Sequence, residues 1–157
     1  HLVAQMARAF EVQRDAGGQT QGSVDFGCSF ILGGQISGEA PRLFNIYPQG
    51  KFIEATPDTP YSQIGESKYG KPIIDRVISY QTPVQEAAKC ALISFDSTIK
   101  SNLSVGLPID LLLYQRDSLQ PGLQRRICEQ DDYFLTIRNA WGDALRQAFA
   151  ALPPLPW

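Results

Sequence analysis

The sequence has little histidine, few cysteines and no long apolar run, and each shortage excludes a class of function. Its single histidine is His1, so hydrolysis with an internal histidine as general base is excluded. The longest apolar runs, such as Ile109 to Tyr114, are far too short to cross a bilayer. No basic segment precedes an apolar one, as a signal peptide requires. We therefore predict a cytoplasmic protein that does not bind membranes.

Cysteine spacing and charge exclude further classes. Cys28, Cys90 and Cys128 form no C-x-x-C or Cys/His pattern, which indicates three free thiols in a reducing compartment, each a small buried residue. The sequence has no P-loop, no dinucleotide-binding glycine pattern and no EF-hand loop, so neither cofactor nor metal is predicted. With 14 basic and 16 acidic residues, the chain has no electrostatic reason to bind nucleic acid.

The 157 residues fit a single domain, 1–157, with a core of its own. Apolar residues at helical spacing predict a first helix from Leu2 to Arg14, ended by Gly17 and Gly18. The chain begins inside this helical pattern and without an initiator methionine. We interpret it as a fragment of a longer protein.

Short aromatic and β-branched segments follow the first helix. Val24 to Leu32, Arg42 to Tyr47 and Lys51 to Ala55 are separated by Gly/Pro turns and predict an antiparallel meander. Glycines in and after its first strand indicate a bulge or the close approach of another backbone. Tyr61 to Ile64 predicts a further short strand.

The second half of the chain predicts two helices, two strands and a last helix. Pro72 suits the first turn of a helix through Ile78. Thr82 with Gln85 forms a capping box for a helix that runs to about Thr98. The apolar side of this second helix carries Ala87, Ala88, Ala91, Leu92 and Phe95. A leucine-rich strand from Ile109 to Tyr114, predicted to be covered on both faces, pairs with a strand from Arg125 to Cys128. Asp131 or Asp132 then caps a last helix. The apolar residues of that helix are Phe134, Ile137, Trp141, Leu145, Phe149 and Leu152. Because strands come in runs and helices in pairs, the predicted fold class is layered α+β.

Two polar segments are candidates for chemistry. The first is the loop from Ile64 to Gly70, which contains Glu66 and Ser67 between a predicted strand and a helix N-terminus. Its backbone N–H groups and hydroxyls suit an anion or the support of a nucleophile. The alternative is an ordinary strand-to-helix loop.

The second segment is rich in serine and asparagine and lies directly before the leucine-rich strand. Ser101, Asn102 and Ser104 follow a predicted helix C-terminus. Hydroxyls held in a turn can relay a proton or orient an amine, or they can simply satisfy helix carbonyls. The residues alone leave both interpretations open.

Three long segments resemble a known family. CSFILGGQISGEAPRLFNIYPQG, FIEATPDTPYSQIGESKYGKPIIDRV and CALISFDSTIKSNLSVGLPIDLLLYQRDSL are similar to the bacterial proteasome-type protease family Anbu (ancestral β-subunit), and the likeness extends over essentially the whole chain. The resemblance implies the four-layer αββα sandwich of N-terminal-nucleophile hydrolases, here without its N-terminal strands. It also implies threonine-type hydrolysis, which needs no histidine.

The resemblance implies supporting residues but no nucleophile within this chain. In the family the catalytic Thr, Asp and Lys lie in N-terminal strands, before the helix in which this chain starts. A supporting Gly-Ser-Gly turn of the proteasome fold corresponds here to Gly65, Glu66 and Ser67. A supporting Asp with a Ser three residues later corresponds to Ser101 and Ser104. Ser104 fits the pattern, whereas Glu66 and Ser101 depart from it.

Two functions follow from the resemblance. The first is a self-assembling peptidase subunit, a homo-oligomer in a ring or a helical assembly that acts on peptides or proteins. The second is a non-catalytic oligomerisation module that keeps the fold. A third interpretation, an unrelated α+β enzyme with Ser67 or Ser104 as nucleophile, lacks a visible base. Whether an ATPase partner feeds the assembly is not encoded in any motif of the sequence.

Overall fold

The structure, a computed structural model, describes residues 27–157. The predicted first helix, Leu2 to Arg14, lies outside these residues. The described part divides into two compact units. The sheet unit comprises residues 27–67 with Ser79–Gln81 and Arg116–Leu119. The helical unit comprises Lys68–Ile78, Thr82–Gln115 and Gln120–Trp157.

The sheet unit contains the predicted antiparallel meander. Its strands are β1 (Phe30–Gly34), β2 (Arg42–Ile46) and β3 (Phe52–Glu54), in the spatial order β1-β2-β3. The pairing of β1 with β2 runs without interruption from Phe30–Ile46 to Gly34–Arg42. The predicted bulge is therefore absent from this ladder, although a Cβ on Gly33 would lie 3.2 Å from Leu43 Cδ1.

Side chains with apolar character occupy both faces of this sheet. Directly paired residues share a face, so the register puts Phe44, Ile46 and Phe52 on one face and Ile31 and Ile53 on the other. Phe44 and Ile46 are buried, whereas Ile31 and Ile53 are 40% and 59% exposed. A sheet that is apolar on both sides is typical of a layer packed between two others.

Ion pairing and a long-range amide contact reinforce the sheet unit. Arg42 makes a two-point hydrogen bond to Glu54 across β2 and β3, at 2.7 and 2.8 Å, and its guanidinium lies 4.8 Å from the ring centre of Phe44. Gln35, just after β1, donates to the Asp117 carboxylate and accepts from the Asp117 backbone N–H. This pairing fixes residues 116–119 to the meander.

The predicted short strand at Tyr61 to Ile64 is wrong, because these residues form no strand. A strand requires a neighbour in register. Beyond β3 the chain instead turns on itself through an isolated bridge between Thr56 and Thr59. Gly65 follows at φ 80°, a left-handed conformation that glycine adopts without strain.

The helical unit begins with two helices in contact. They are α1 (Lys71–Val77) and α2 (Val84–Ser101), and Pro72 stands in the first turn of α1 as predicted. The capping box at Thr82 is wrong, because Pro83, extended at ψ 143°, occupies the N-cap position and makes no side-chain cap hydrogen bond. The helix therefore starts one residue later than a Thr82 cap requires.

The rest of the helical unit is a hairpin and a long helix. The hairpin pairs β4 (Ile109–Leu112) with β5 (Gln124–Ile127), and α3 spans Asp132–Ala150. Asp131 caps α3 as predicted, its side chain accepting from the Phe134 N–H at 2.9 Å. Leu92, Ile109, Ile127 and Phe134 form the core.

Three predictions about burial in this unit are wrong. The strand β4 buries Ile109 but leaves Leu112 58% exposed, so it is not covered on both faces. Phe95, predicted on the apolar side of its helix, is exposed. The predicted apolar stripe of the last helix is buried only near its start, since Leu145 and Phe149 of α3 and Leu152 beyond its end are all exposed.

Candidate functional site

The candidate residues Glu66 and Ser67 lie in a loop of the sheet unit that is stabilised by a side-chain amide. Gln63 Nε2 donates to the Glu66 carbonyl oxygen at 3.1 Å, while the amide oxygen of Gln63 is buried without a hydrogen bond. Glu66 is partly buried and Ser67 is exposed. Ser67 precedes α1 by several residues, so its hydroxyl is not part of the cap of that helix.

Ser101 and Ser104 lie in one loop of the helical unit, and Asn102 organises that loop. Ser101 is the last residue of α2, and the Asn102 N–H closes the helix by donating to the Thr98 carbonyl at 2.8 Å. The Asn102 side-chain oxygen then accepts from both the N–H of Ser104 at 2.9 Å and its hydroxyl at 2.6 Å. The Val105 N–H completes the turn by donating to the Asn102 carbonyl at 3.2 Å.

This geometry determines what the Ser104 hydroxyl can do next. A serine hydroxyl has one proton to donate and two lone pairs. Because its proton points to Asn102, the oxygen remains able to accept a hydrogen bond. An acceptor oxygen held in a fixed turn suits a neighbouring amine or ammonium group.

The predicted residues thus fall into two pairs in two different units. Ser101 and Ser104 share one loop, and Glu66 and Ser67 share another. Ser101 and Ser104 are explained locally by helix-end and turn geometry. In the loop of Ser101 and Ser104 the sequence identified the hydroxyls but not the part of Asn102, although an Asx turn after a helix is a recognisable signal for it.

A buried acid in the helical unit was not predicted. The side chain of Asp96 on α2 is only 1% exposed and faces Lys100 Nζ at 2.9 Å and Arg138 Nε at 2.7 Å. These contacts are ion pairs rather than aligned hydrogen bonds. Arg138 lies on α3, so the carboxylate links the two long helices. The sequence signal was an acid four residues before Lys100 on a face that is otherwise buried.

An open polar cavity of about 440 Å³ adjoins this cluster. Lys100, Arg138 and Arg146 line it, and Arg146 is paired with Asp143. Each of these three cations already faces a carboxylate, which reduces its attraction for a further anion. The cluster therefore has the chemistry of a helix-to-helix link.

One of the three cysteines, Cys90, is a poor nucleophile because of its position. Burial raises the pKa of the Cys90 thiol, which keeps it protonated and unreactive. Cys28 and Cys128 are exposed, so the prediction of burial is confirmed for Cys90 alone. Between residues 27 and 157, no group of three or more His, Cys, Asp or Glu side chains is arranged to hold a metal.

In the same described residues, no helix has the length and apolarity needed to span a bilayer. The longest, α3, carries Asp, Arg and Gln side chains along its exposed surface.

The sequence matches no protein-family model and no curated protein, but it is similar to several solved structures. Anbu (ancestral β-subunit) from Yersinia bercovieri is 53% identical, with a TM-score of 0.90, over 99% of this chain and 65% of that one. The helical assembly of the Anbu complex from Pseudomonas aeruginosa is 52% identical, with a TM-score of 0.91, over 99% of this chain and 65% of that one. A Gly-1 mutant of Anbu from a Hyphomicrobium species is 51% identical, with a TM-score of 0.89, over 99% of this chain and 63% of that one.

These likenesses cover nearly all of the present chain, but the chain spans only about 65% of the length of the relatives it matches. An identity above 50% together with a TM-score near 0.9 leaves no ambiguity about the shared ancestry of the matched part. The chain belongs to the Anbu (ancestral β-subunit) family of proteasome-like proteins.

Proposed function

We propose that the chain is the larger part of a proteasome-like, threonine-type peptidase subunit. The observation that carries this proposal is its similarity to Anbu proteins over 99% of its residues at 51–53% identity. In the proposed reaction the hydroxyl of an N-terminal Thr attacks a peptide carbonyl, and its proton passes to the Thr amine or to a lysine. The family resemblance assigns that Thr, an Asp and the Lys to strands that this chain does not contain.

Within this scheme Ser104 supports the nucleophile. The Ser104 hydroxyl donates its proton to Asn102, and Asn102 also holds the Ser104 backbone N–H. The hydroxyl oxygen can therefore still accept a hydrogen bond from the amine of the nucleophile. Ser101 occupies the position at which the family pattern has an Asp. Without that carboxylate the amine loses a negative neighbour, which lowers the amine's pKa. Ser67 would supply a further hydroxyl from the loop of Glu66.

The proposed fold of the complete subunit is the four-layer αββα sandwich. The apolar residues on both faces of the β1-β2-β3 sheet support it, because an inner layer of a sandwich must be covered on both sides. Ile31 and Ile53, on one face, and Phe52, on the other, are each at least 40% exposed. In the complete sandwich these side chains would be covered.

The proposed subunit is a homo-oligomer, in a ring or a helical assembly, and cleaves peptides or proteins in the cytoplasm. One of its relatives is described as a helical assembly of the Anbu complex. The net charge of −2 gives no support for nucleic acid or anionic membrane as a partner.

The test is active-site titration of the full-length protein. A threonine-directed electrophile is added, and intact mass with N-terminal sequencing identifies every chain present. We expect one label per subunit on a chain or segment that begins with Thr. Labelling should slow by about tenfold in Ser104→Ala, since one hydrogen bond to a charged group is lost. Ser97→Ala, one helical turn before Ser101 on α2, is the control and should label at the normal rate.

A second candidate is a non-catalytic oligomerisation module with the same fold. Two observations favour it: Glu66 replaces a serine and Ser101 replaces an aspartate of the family pattern. An assembled full-length protein that takes up no label would support this candidate and overturn the peptidase proposal. If Ser101→Asp restored labelling in that protein, the missing carboxylate would be identified as the cause.

A further inference from the structure

The helical unit contains an apolar groove between its three helices. The groove has a volume of about 330 Å³ and is lined by side chains of α1, α2 and α3. Val77 of α1, Ile93 of α2 and Trp141 of α3 contribute apolar surface, and Ala140 and Ala144 keep one side of it open. The two charged lining residues, Glu86 and Lys89, pair with each other at 2.6 Å. The groove therefore presents apolar surface with no net charge.

The same unit carries an exposed apolar segment, Leu152–Trp157, which we call the tail. Its sequence, LPPLPW, has no charged side chain. Leu152, Leu155 and Trp157 are 63%, 72% and 91% exposed. Three prolines restrict the backbone to extended conformations, so little conformational entropy is lost when such a segment docks. Exposed apolar surface of this kind is typical of interaction sites.

Groove and tail match each other in chemistry. Both are apolar, and neither has an unpaired charged side chain. In the structure the tail side chains are exposed rather than seated, so the chain does not fill its own groove. Within residues 27–157, each copy therefore offers one open acceptor surface and one unburied donor segment.

Assembly symmetry favours a second copy as the occupant. Helical assemblies need a heterologous contact, in which two different surfaces of the subunit meet and the same contact repeats from copy to copy. The tail and the groove are two such surfaces. This inference rests on the self-assembly in the proposed function, which is itself suggested by the helical assembly of a relative.

We propose that the tail of one subunit docks into the groove of the next, with Leu155 and Trp157 as the anchoring side chains. Aromatic and branched side chains that enter apolar pockets carry most of the binding energy in interfaces. The contact is directional, from tail to groove, and it links the helical units of successive subunits.

The experiment uses two variants of the full-length protein, each with one surface blocked by an added charge. Leu155→Arg blocks the tail, and Ala144→Arg blocks the groove. Asn139→Arg is the control, because it adds the same charge to α3 at a residue that does not line the groove. Circular dichroism melting confirms that each variant is folded, and analytical ultracentrifugation measures the assembly.

We expect each blocked variant to lose the higher assemblies of the wild-type protein, while Asn139→Arg retains them. A mixture of the two blocked variants should gain one species, a pair, because the intact tail of one copy meets the intact groove of the other. A fluorescent peptide of residues 148–157 should bind Ala144→Arg at least about tenfold more weakly than it binds Asn139→Arg.

Three results would overturn the inference. If the wild-type protein assembles and both blocked variants assemble alike, the contact is absent while the proposed self-assembly stands. If the wild-type protein stays monomeric, self-assembly itself fails, and this contact fails with it. If Leu155→Arg binds the peptide more tightly than wild type without any change in assembly, the groove takes the tail of its own chain.

Discussion

The sheet unit and the helical unit differ in where their apolar side chains lie. The helical unit encloses Leu92, Ile109, Ile127 and Phe134, each at most 7% exposed. The β1-β2-β3 sheet carries apolar residues on both faces and leaves many of them half exposed. The helical unit therefore has a buried cluster of its own, whereas the sheet has the two-sided apolar pattern of a layer that other layers cover. Four substitutions test this difference, each in the full-length protein.

The largest effect is expected from Phe134→Ala at the centre of the helical unit. Phe134 is 1% exposed, so its truncation removes buried surface and leaves a cavity, at a cost of about 3–5 kcal/mol in unfolding free energy. Phe149→Ala in the same helix is the control, because Phe149 is 77% exposed. Urea denaturation followed by circular dichroism measures both. Equal losses in the two variants would show that the core is not where the structure places it.

Gly70→Ala tests how tightly the helical unit is packed. A Cβ at residue 70 would overlap with Ser94 Oγ and would lie 2.8 Å from the Ser94 carbonyl oxygen and 2.9 Å from Thr98 Oγ1. Since two of these atoms belong to side chains of a buried helix face, we expect a loss of about 2–3 kcal/mol. Gly106→Ala is the matched control, with no atom within 4 Å of its Cβ. A melting curve for Gly70→Ala that coincides with the control would refute the close contact.

Ile53→Ala tests whether the sheet is covered in the complete subunit. Ile53 is 59% exposed here, and removal of a side chain that stays exposed costs less than about 0.5 kcal/mol. If other layers cover this face, the cost rises to about 1–2 kcal/mol. We expect the larger value from urea denaturation. Ile36→Ala, at a turn residue that is 67% exposed, should change stability little in either case.

The smallest effect is expected at the cap of α3. The hydrogen bond from the Phe134 N–H lowers the pKa of the Asp131 carboxyl below the ordinary value of 3.8, and Arg125 lowers it further. The cap is therefore fully stabilising well above pH 4, and the stabilisation fades as the pH falls through the lowered pKa. Asp131→Ala should lower the melting temperature by about 2–4 °C at pH 7.

The pH dependence provides the check on this last prediction. The difference between wild type and Asp131→Ala should shrink progressively below pH 4, as the wild-type carboxyl is protonated. Asp143→Ala, an exposed acid in the middle of the same helix, should show a smaller difference at pH 7. A difference for Asp131→Ala that stays constant down to pH 2 would indicate that the charge of the cap contributes nothing.

The sequence alone predicted the elements that depend on local signals. Alternating segments with Gly/Pro turns predicted the meander, Pro72 predicted the first turn of α1, and Asp131 predicted the cap of α3. The errors lie where tertiary context decides. Tyr61 to Ile64 has strand-like composition but no strand in register beside it, and Phe95 has the right spacing but the wrong side of its helix.

The candidate site could be predicted only in part. Serine spacing was enough to select Ser101 and Ser104, but the direction of the Ser104 proton depends on the position of the Asn102 side chain. The link made by Asp96 needed the placement of α3, which no local pattern provides. The prediction that β4 is covered on both faces was wrong, because a leucine-rich run does not reveal whether one or both faces of a strand are covered by other elements.

The link between α2 and α3 has a consequence for how sequences of this family can change. Asp96 is buried with Lys100 and Arg138 facing its two oxygens, so loss of the acid alone leaves two neighbouring cations uncompensated. Replacement of all three by apolar residues of similar volume would remove that penalty. Natural variation at residue 96 should therefore be accompanied by variation at residue 138, and the two positions should change together or not at all.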